Sequence, residues 1–147
     1  LALRRPECAE IMFADLARSF AGEYQRGRAQ HSDRLVEMIE EGQRCLAVDY
    51  NNAVGLRGAF GSGLEEQFRR YDVIVTPAAT GEAPAGLSST GDPVFATLWS
   101  YLGMPAITLP LLVGETGLPI GVQLVAARGD DARLLRTAQW LVRHLEG

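Results

Sequence analysis

The chain has 147 residues, enough for one ordinary domain with a buried core. At 47% hydrophobic and 22% charged residues, its composition is globular and excludes a disordered or fibrous chain. A formal charge of -4 argues against nucleic acid as a partner, because neutralising phosphates takes a clustered basic face.

In chain order, helices come first. The stretch ECAEIMFADLARSFAGEYQRG sets Phe13, Leu16, Phe20 and Tyr24 at three- and four-residue steps, an amphipathic stripe. In SDRLVEMIEEG, Ser32 reads as an N-cap and Gly42 as the stop. A third helix is expected from about Cys45 towards Tyr71. It is weakened by Gly55, Gly58, Gly61 and Gly63, which could instead admit close packing by another element.

The period changes at Asp72. DVIVTP predicts a short strand buried on both faces. AATGEAPAGLSSTGDP is a long loop, and loops of that length in compact domains are more often functional than idle. VFATLWSYLG predicts a short helix ending at Gly103. GMPAITLPLLVGETGLPIGVQLVAARGDD then reads as two buried strands. Pro105, Pro110 and Pro119 punctuate the strand ends, and Gly114 and Gly117 loosen the turn. DDARLLRTAQWLVRHLE closes as an amphipathic helix with the stripe Leu134, Leu135, Ala138, Leu141, Val142 and Leu145, and with Asp130 or Asp131 at its positive end. Strands interleaved with helices indicate an α/β fold class.

The chemistry is thin. All 14 basic residues are Arg, so Walker-type loops, Schiff bases and Ser-Lys pairs are excluded within this chain. GLSSTG, Gly86 to Gly91, reads as flexible loop, and the surroundings of Ser62 lack the G-x-S-x-G spacing. His31 and His144 read as surface residues beside helix ends. Cys8 and Cys45 have no neighbour to activate a thiol and no metal-like or redox-like spacing. A reduced, cytoplasmic setting is therefore the expectation. Asp130–Asp131 reads as a cap, and Glu40–Glu41 and Glu65–Glu66 as solvated helix faces. No metal or cofactor site is expected. No apolar run is long enough to span a bilayer, and no signal peptide is recognisable. The chain opens on Leu1 rather than Met, so its first residue is not expected to be the start of translation.

YDVIVTPAATGEAP, FATLWSYLGMPAITLP and GLPIGVQLVAARGDDARLL, in that order, resemble the C-terminal part of the amidase signature family. The likeness rests on Thr76–Pro77, Ala83–Pro84, Gly103-Met104-Pro105-Ala106, Leu109–Pro110 and the run Gly117 to Leu124. It is strong over residues 71–147. Over residues 11–70 it is carried by Gly42, Tyr50, Ala53 and Arg57.

The resemblance implies one α/β domain part, mainly helical over 1–70, with strands, loop, hairpin and final helix over 71–147. It also implies part of a mixed sheet flanked by helices. Family members cleave or transfer amides with a Ser–cis-Ser–Lys triad placed upstream of these motifs, so the resemblance implies no catalytic residue here. It implies that the long loop and the Phe95–Tyr101 segment wall the acyl pocket of a complete enzyme, with Trp99, Phe95 and Thr80 as contacts. Core packing of an amphipathic helix accounts for the aromatics equally well. Set against the family resemblance, Val94-Phe95-Ala96-Thr97 offers no acid for a substrate ammonium, and the aromatics Phe95, Trp99 and Tyr101 point to a more apolar amide.

The expected function is thus a C-terminal fragment of an amide hydrolase, scaffold and pocket wall, inactive alone. The alternative is a non-catalytic binding or structural subunit that completes another chain's sheet. Either way, self-association or contact with another chain is expected through strands near Val73–Thr76 or Ala106–Leu112.

Overall fold

A computed structural model describes residues 5–146, with side chains from Glu10 to Leu145. Leu1 and the side chain of Cys8 lie outside the described residues. The helical stripe of the first segment is not one helix. α1 (Arg5–Ser19) ends, Phe20 adopts φ -94° and ψ 7°, and α2 (Ala21–Gly27) follows before a 3-10 turn at Arg28–Gln30. The break lets the stripe change partners. Ile11 and Ala17 are buried on α1, Phe20 meets the His31 ring edge-on at 6.4 Å, and the Tyr24 hydroxyl donates to Glu40 at 2.7 Å.

α3 (Asp33–Gln43) starts as expected, with the Ser32 hydroxyl accepting from the Leu35 amide at 3.3 Å. Gly42, however, does not stop the helix. It is buried inside the last turn, and a Cβ there would overlap the Phe13 carbonyl and crowd Ala17. α1 and α3 approach so closely because Gly42 has no side chain. α4 (Ala47–Phe68) then runs straight through its four glycines. A Cβ at Gly55, Gly58, Gly61 or Gly63 would meet nothing within 4 Å, so among the described residues no element makes the close approach that these glycines would admit. The chain divides into two compact units, Leu1–Ala59 and Phe60–Gly147, and the division falls inside α4.

The second unit holds β1 (Ile74–Pro77), α5 (Val94–Leu102), β2 (Ala106–Val113), β3 (Pro119–Val125) and α6 (Asp131–Glu146). The sheet order is β1-β3-β2 and every pairing is antiparallel, with Thr76 and Thr108 both opposite Gln123. The α/β class read from the sequence therefore stands. Burial of the strands needs correction. β1 and β2 are the outer strands of this sheet and alternate between half-buried and exposed, whereas only the end of β3, Gln123 to Val125, is buried throughout. Pro110 sits within β2 rather than at its end, where the register slips between Leu109 and Leu112, a place that tolerates a missing N–H.

α6 supplies the cover. Leu134 and Ala138 form a core with Leu124 and Ala126, against which Val73, Ile107, Leu109 and Leu141 pack. Leu135 and Leu145, expected in the same stripe, stay exposed. The Asp130 carboxylate pairs with Arg133 at 2.8 Å, while its carbonyl accepts from the Leu134 amide. α5 ends at Gly103 as expected, with φ 66°. The Met104 amide reaches back to the Trp99 carbonyl at 3.0 Å, and Arg128 donates to the Leu102 carbonyl.

Candidate functional site

The long loop leaves the sheet where β1 ends. The Ala78 amide donates to the Gly121 carbonyl at 2.9 Å, which prolongs the β1–β3 pairing by one step. Gly121 faces this crossing. A Cβ there would overlap the Thr108 γ-methyl and press on the Ala78 β-carbon, so strand and loop can touch only at a glycine.

Glu82 then fastens the loop to the hairpin turn. Its carboxylate accepts from the Thr116 amide at 3.0 Å, the Thr116 hydroxyl at 2.7 Å and the Leu118 amide at 3.2 Å. These donors, the Thr116 hydroxyl foremost, hold the Glu82 carboxyl below its ordinary value. The turn folds to suit. Gly117 has φ 89°, and the Cβ absent from Gly114 would collide with the Glu82 carboxylate. Gly114 is thus less a source of turn freedom, as its sequence suggests, than room for an anion. The far end of the loop is fixed by Asp92, whose Oδ1 accepts from the Val94 amide at 3.1 Å as α5 begins. Between these anchors Ser88 and Ser89 are exposed.

Gln123 joins the loop's two ends. It is 5% exposed, in a strand segment otherwise apolar. Its Nε2 donates to the Thr76 hydroxyl at 3.0 Å and to the Phe95 carbonyl at 3.0 Å. Sequence reasoning misses both Gln123 and Glu82. A signal exists for the first, since a carboxamide in a buried apolar strand needs hydrogen-bond partners.

The three residues singled out from sequence fall in different surroundings. Trp99 is buried, at 7% exposure, on α5. Phe95 is half-buried in the first turn of α5 and is tied to β3 through its carbonyl. Thr80 is exposed near the start of the loop. Two clefts of about 300 and 280 Å³ belong to the first unit: Glu10, Phe13, Glu41 and Asp49 help line one, Arg28, His31 and Glu37 the other.

Other candidates resolve as follows. His144 is exposed and stacks on Trp140 at 4.5 Å. His31 is not the plain surface residue expected, since it is half-buried with its Nε2 buried and without a hydrogen-bond partner. Cys45 is half-buried and free. Glu40 is not merely solvated: it accepts from Tyr24 and from Arg28 at 2.6 Å, and these bonds, Tyr24's first, lower its carboxyl below the ordinary value. Among the described residues no group of three or more His, Cys, Asp or Glu could hold a metal ion, and no helix is long and apolar enough to cross a membrane.

Comparison with known proteins extends the picture. The Amidase family model matches residues 9–135. An acylamidase of Rhodococcus erythropolis is 31% identical over 137 residues, covering 81% of this chain and 29% of that protein. Among solved structures, an amidase superposes with a TM-score of 0.77 at 25% identity, over 92% of this chain and 34% of that one. A 6-aminohexanoate cyclic dimer hydrolase shares the fold with a TM-score of 0.73 at 21% identity, over 97% and 35% of the two chains. The chain thus spans about a third of the length of these relatives.

Proposed function

The chain belongs to the amidase family, and on that premise we propose that it is the C-terminal scaffold portion of an amide-bond hydrolase, inactive by itself. One pairing of facts carries the reading. The family match runs through residues 9–135, yet the chain holds no Lys with which to build the Ser–cis-Ser–Lys triad that the resemblance implies. The sheet, hairpin and α6 then serve as support, and α5 with the loop before it serves as part of the substrate pocket. Trp99 and Phe95 provide apolar contact with the acyl group of an amide, and Thr80 a hydroxyl at the rim. The anchoring of that loop by Glu82 and Gln123 supports this reading, because a pocket wall needs a fixed shape.

The test uses the complete protein that carries this segment. Trp99→Ala should change the preference among amides differing in their acyl groups, while far-ultraviolet circular dichroism stays unchanged. If every amide is affected equally and only the melting temperature falls, Trp99 is a core residue and the pocket assignment is lost.

A second reading has its own observation. Val75, Leu112 and Val113 are exposed on the outer strands of the sheet, which makes contact with another chain or self-association through those strands the alternative role. A monodisperse monomer of the isolated chain by light scattering at high concentration would remove it.

A further inference from the structure

We propose that Gln123 is a positioning residue, one carboxamide that fixes the α5 wall relative to the strand from which the loop departs. The inference rests on the reading of α5 as pocket wall. It names the residue that sets the wall's place.

Thr76 is the next-to-last residue of β1, just before the loop, and Phe95 is the second residue of α5, just after it. The two are far apart in sequence, and Gln123 on β3 bonds both through the same nitrogen. A carboxamide nitrogen has two hydrogens, and here each has its own acceptor. The geometry is therefore saturated. Moving α5 away from β1 breaks one of the bonds, and leaving a donor of a buried side chain unpaired costs free energy. Backbone pairing cannot do this work, since β1–β3 hydrogen bonds fix strand to strand but do not reach a helix.

The register reinforces the point. Thr76 and Thr108 lie directly opposite Gln123 on either side, and Gly121, two residues back on the same face, lets Thr108 and Ala78 crowd in. The carboxamide thus sits in a row with Thr76 and Thr108 and takes Thr76 and the Phe95 carbonyl as its partners. A purely apolar residue of equal volume would fill the space and leave the first turn of α5 without this tie, since Arg128 bonds only the far end of the helix, at the Leu102 carbonyl. Among the described residues Gln123 is the one buried amide or charged side chain, which sets it apart from the apolar and aromatic packing around it.

The experiment compares Gln123→Met, which keeps the volume and removes both donors, with Thr76→Val, which removes one acceptor, and Thr76→Ser, which keeps it. All are made in the complete protein. Hydrogen exchange should quicken about tenfold at the amides of Val94, Ala96 and Thr97 in Gln123→Met. It should quicken less in Thr76→Val, and not at all in Thr76→Ser. The amides of α6 from Leu134 to Ala138 should keep their rates. In Gln123→Met, KM for amides with bulky acyl groups should rise about tenfold while kcat changes little. Thr76→Val should raise it less.

Exchange that is unchanged, or faster throughout the protein, overturns the proposal. So does a local quickening with no change in KM or acyl preference. Should the wild-type protein turn over no amide at all, the amidase reading fails, and the exchange measurement alone decides whether Gln123 holds α5.

Discussion

At its inner end the β2–β3 hairpin is covered, with Leu124, Val125 and Ala126 buried and Leu134 and Ala138 of α6 packed against two of them. At its outer end Leu112, Val113 and Leu118 are 54%, 74% and 45% exposed. Both ends are written in the same apolar residues. The difference lies in what is packed against them: α6 lies over Ile107 and Leu109 but not beyond the slip at Pro110, and the outer turn is held instead by the single carboxylate of Glu82. The apolar character of a strand therefore marks it as able to be buried, and the neighbouring element decides whether it is.

The largest effect should come from the inner end. Leu124→Ala should cost about 4 kcal/mol in denaturant unfolding, through lost transfer energy and the cavity left against α6. A loss below about 1 kcal/mol would erase the distinction between the two ends. Next is Gly121→Ala, in which the new methyl overlaps Thr108 and Ala78. Overpacking of this kind should cost about 2 kcal/mol in the same experiment.

The outer end should respond weakly. In the isolated chain Leu112→Ser should stay within about 0.5 kcal/mol of wild type, as exposed positions do. In the complete protein, where the proposed function has more of the fold present, the same change should cost more. Equal small effects in both would show that the outer end is never covered.

The smallest effect is tied to pH. The Glu82 carboxyl lies below its ordinary value of about 4.5 in the folded state, so its bonds to the turn stabilise at neutral pH and are lost as pH falls through the folded value. Glu82→Gln should accordingly melt slightly below wild type at pH 7, and the gap should close in acid. A gap that persists unchanged at low pH would remove the carboxylate from its assigned role.

What can be read from the sequence follows the range of the forces involved. Ser32 as a cap, Gly103 as a helix end and the start of α6 are legible, because caps and αL glycines act within one turn of the chain. Gly42 misleads for the same reason. Its local signal is a helix stop, but its role depends on Phe13, a residue that only folding brings near. β1 looks like a strand buried on both faces, since β-branched residues look alike in outer and central strands. For the candidate site, α5 with Trp99 and Phe95 stands out by its aromatics. Glu82 and Gln123 do not, since the partners of a loop carboxylate and of a strand carboxamide lie dozens of residues away in the chain.

Amide turnover measured side by side for the isolated chain and for the complete protein tests the central claim most directly. The account predicts no hydrolysis above blank by the chain over a panel of aliphatic and aryl amides, and turnover by the complete protein. Hydrolysis by the purified chain alone would contradict it, since no Lys is present to build the triad and the scaffold reading would have to be abandoned.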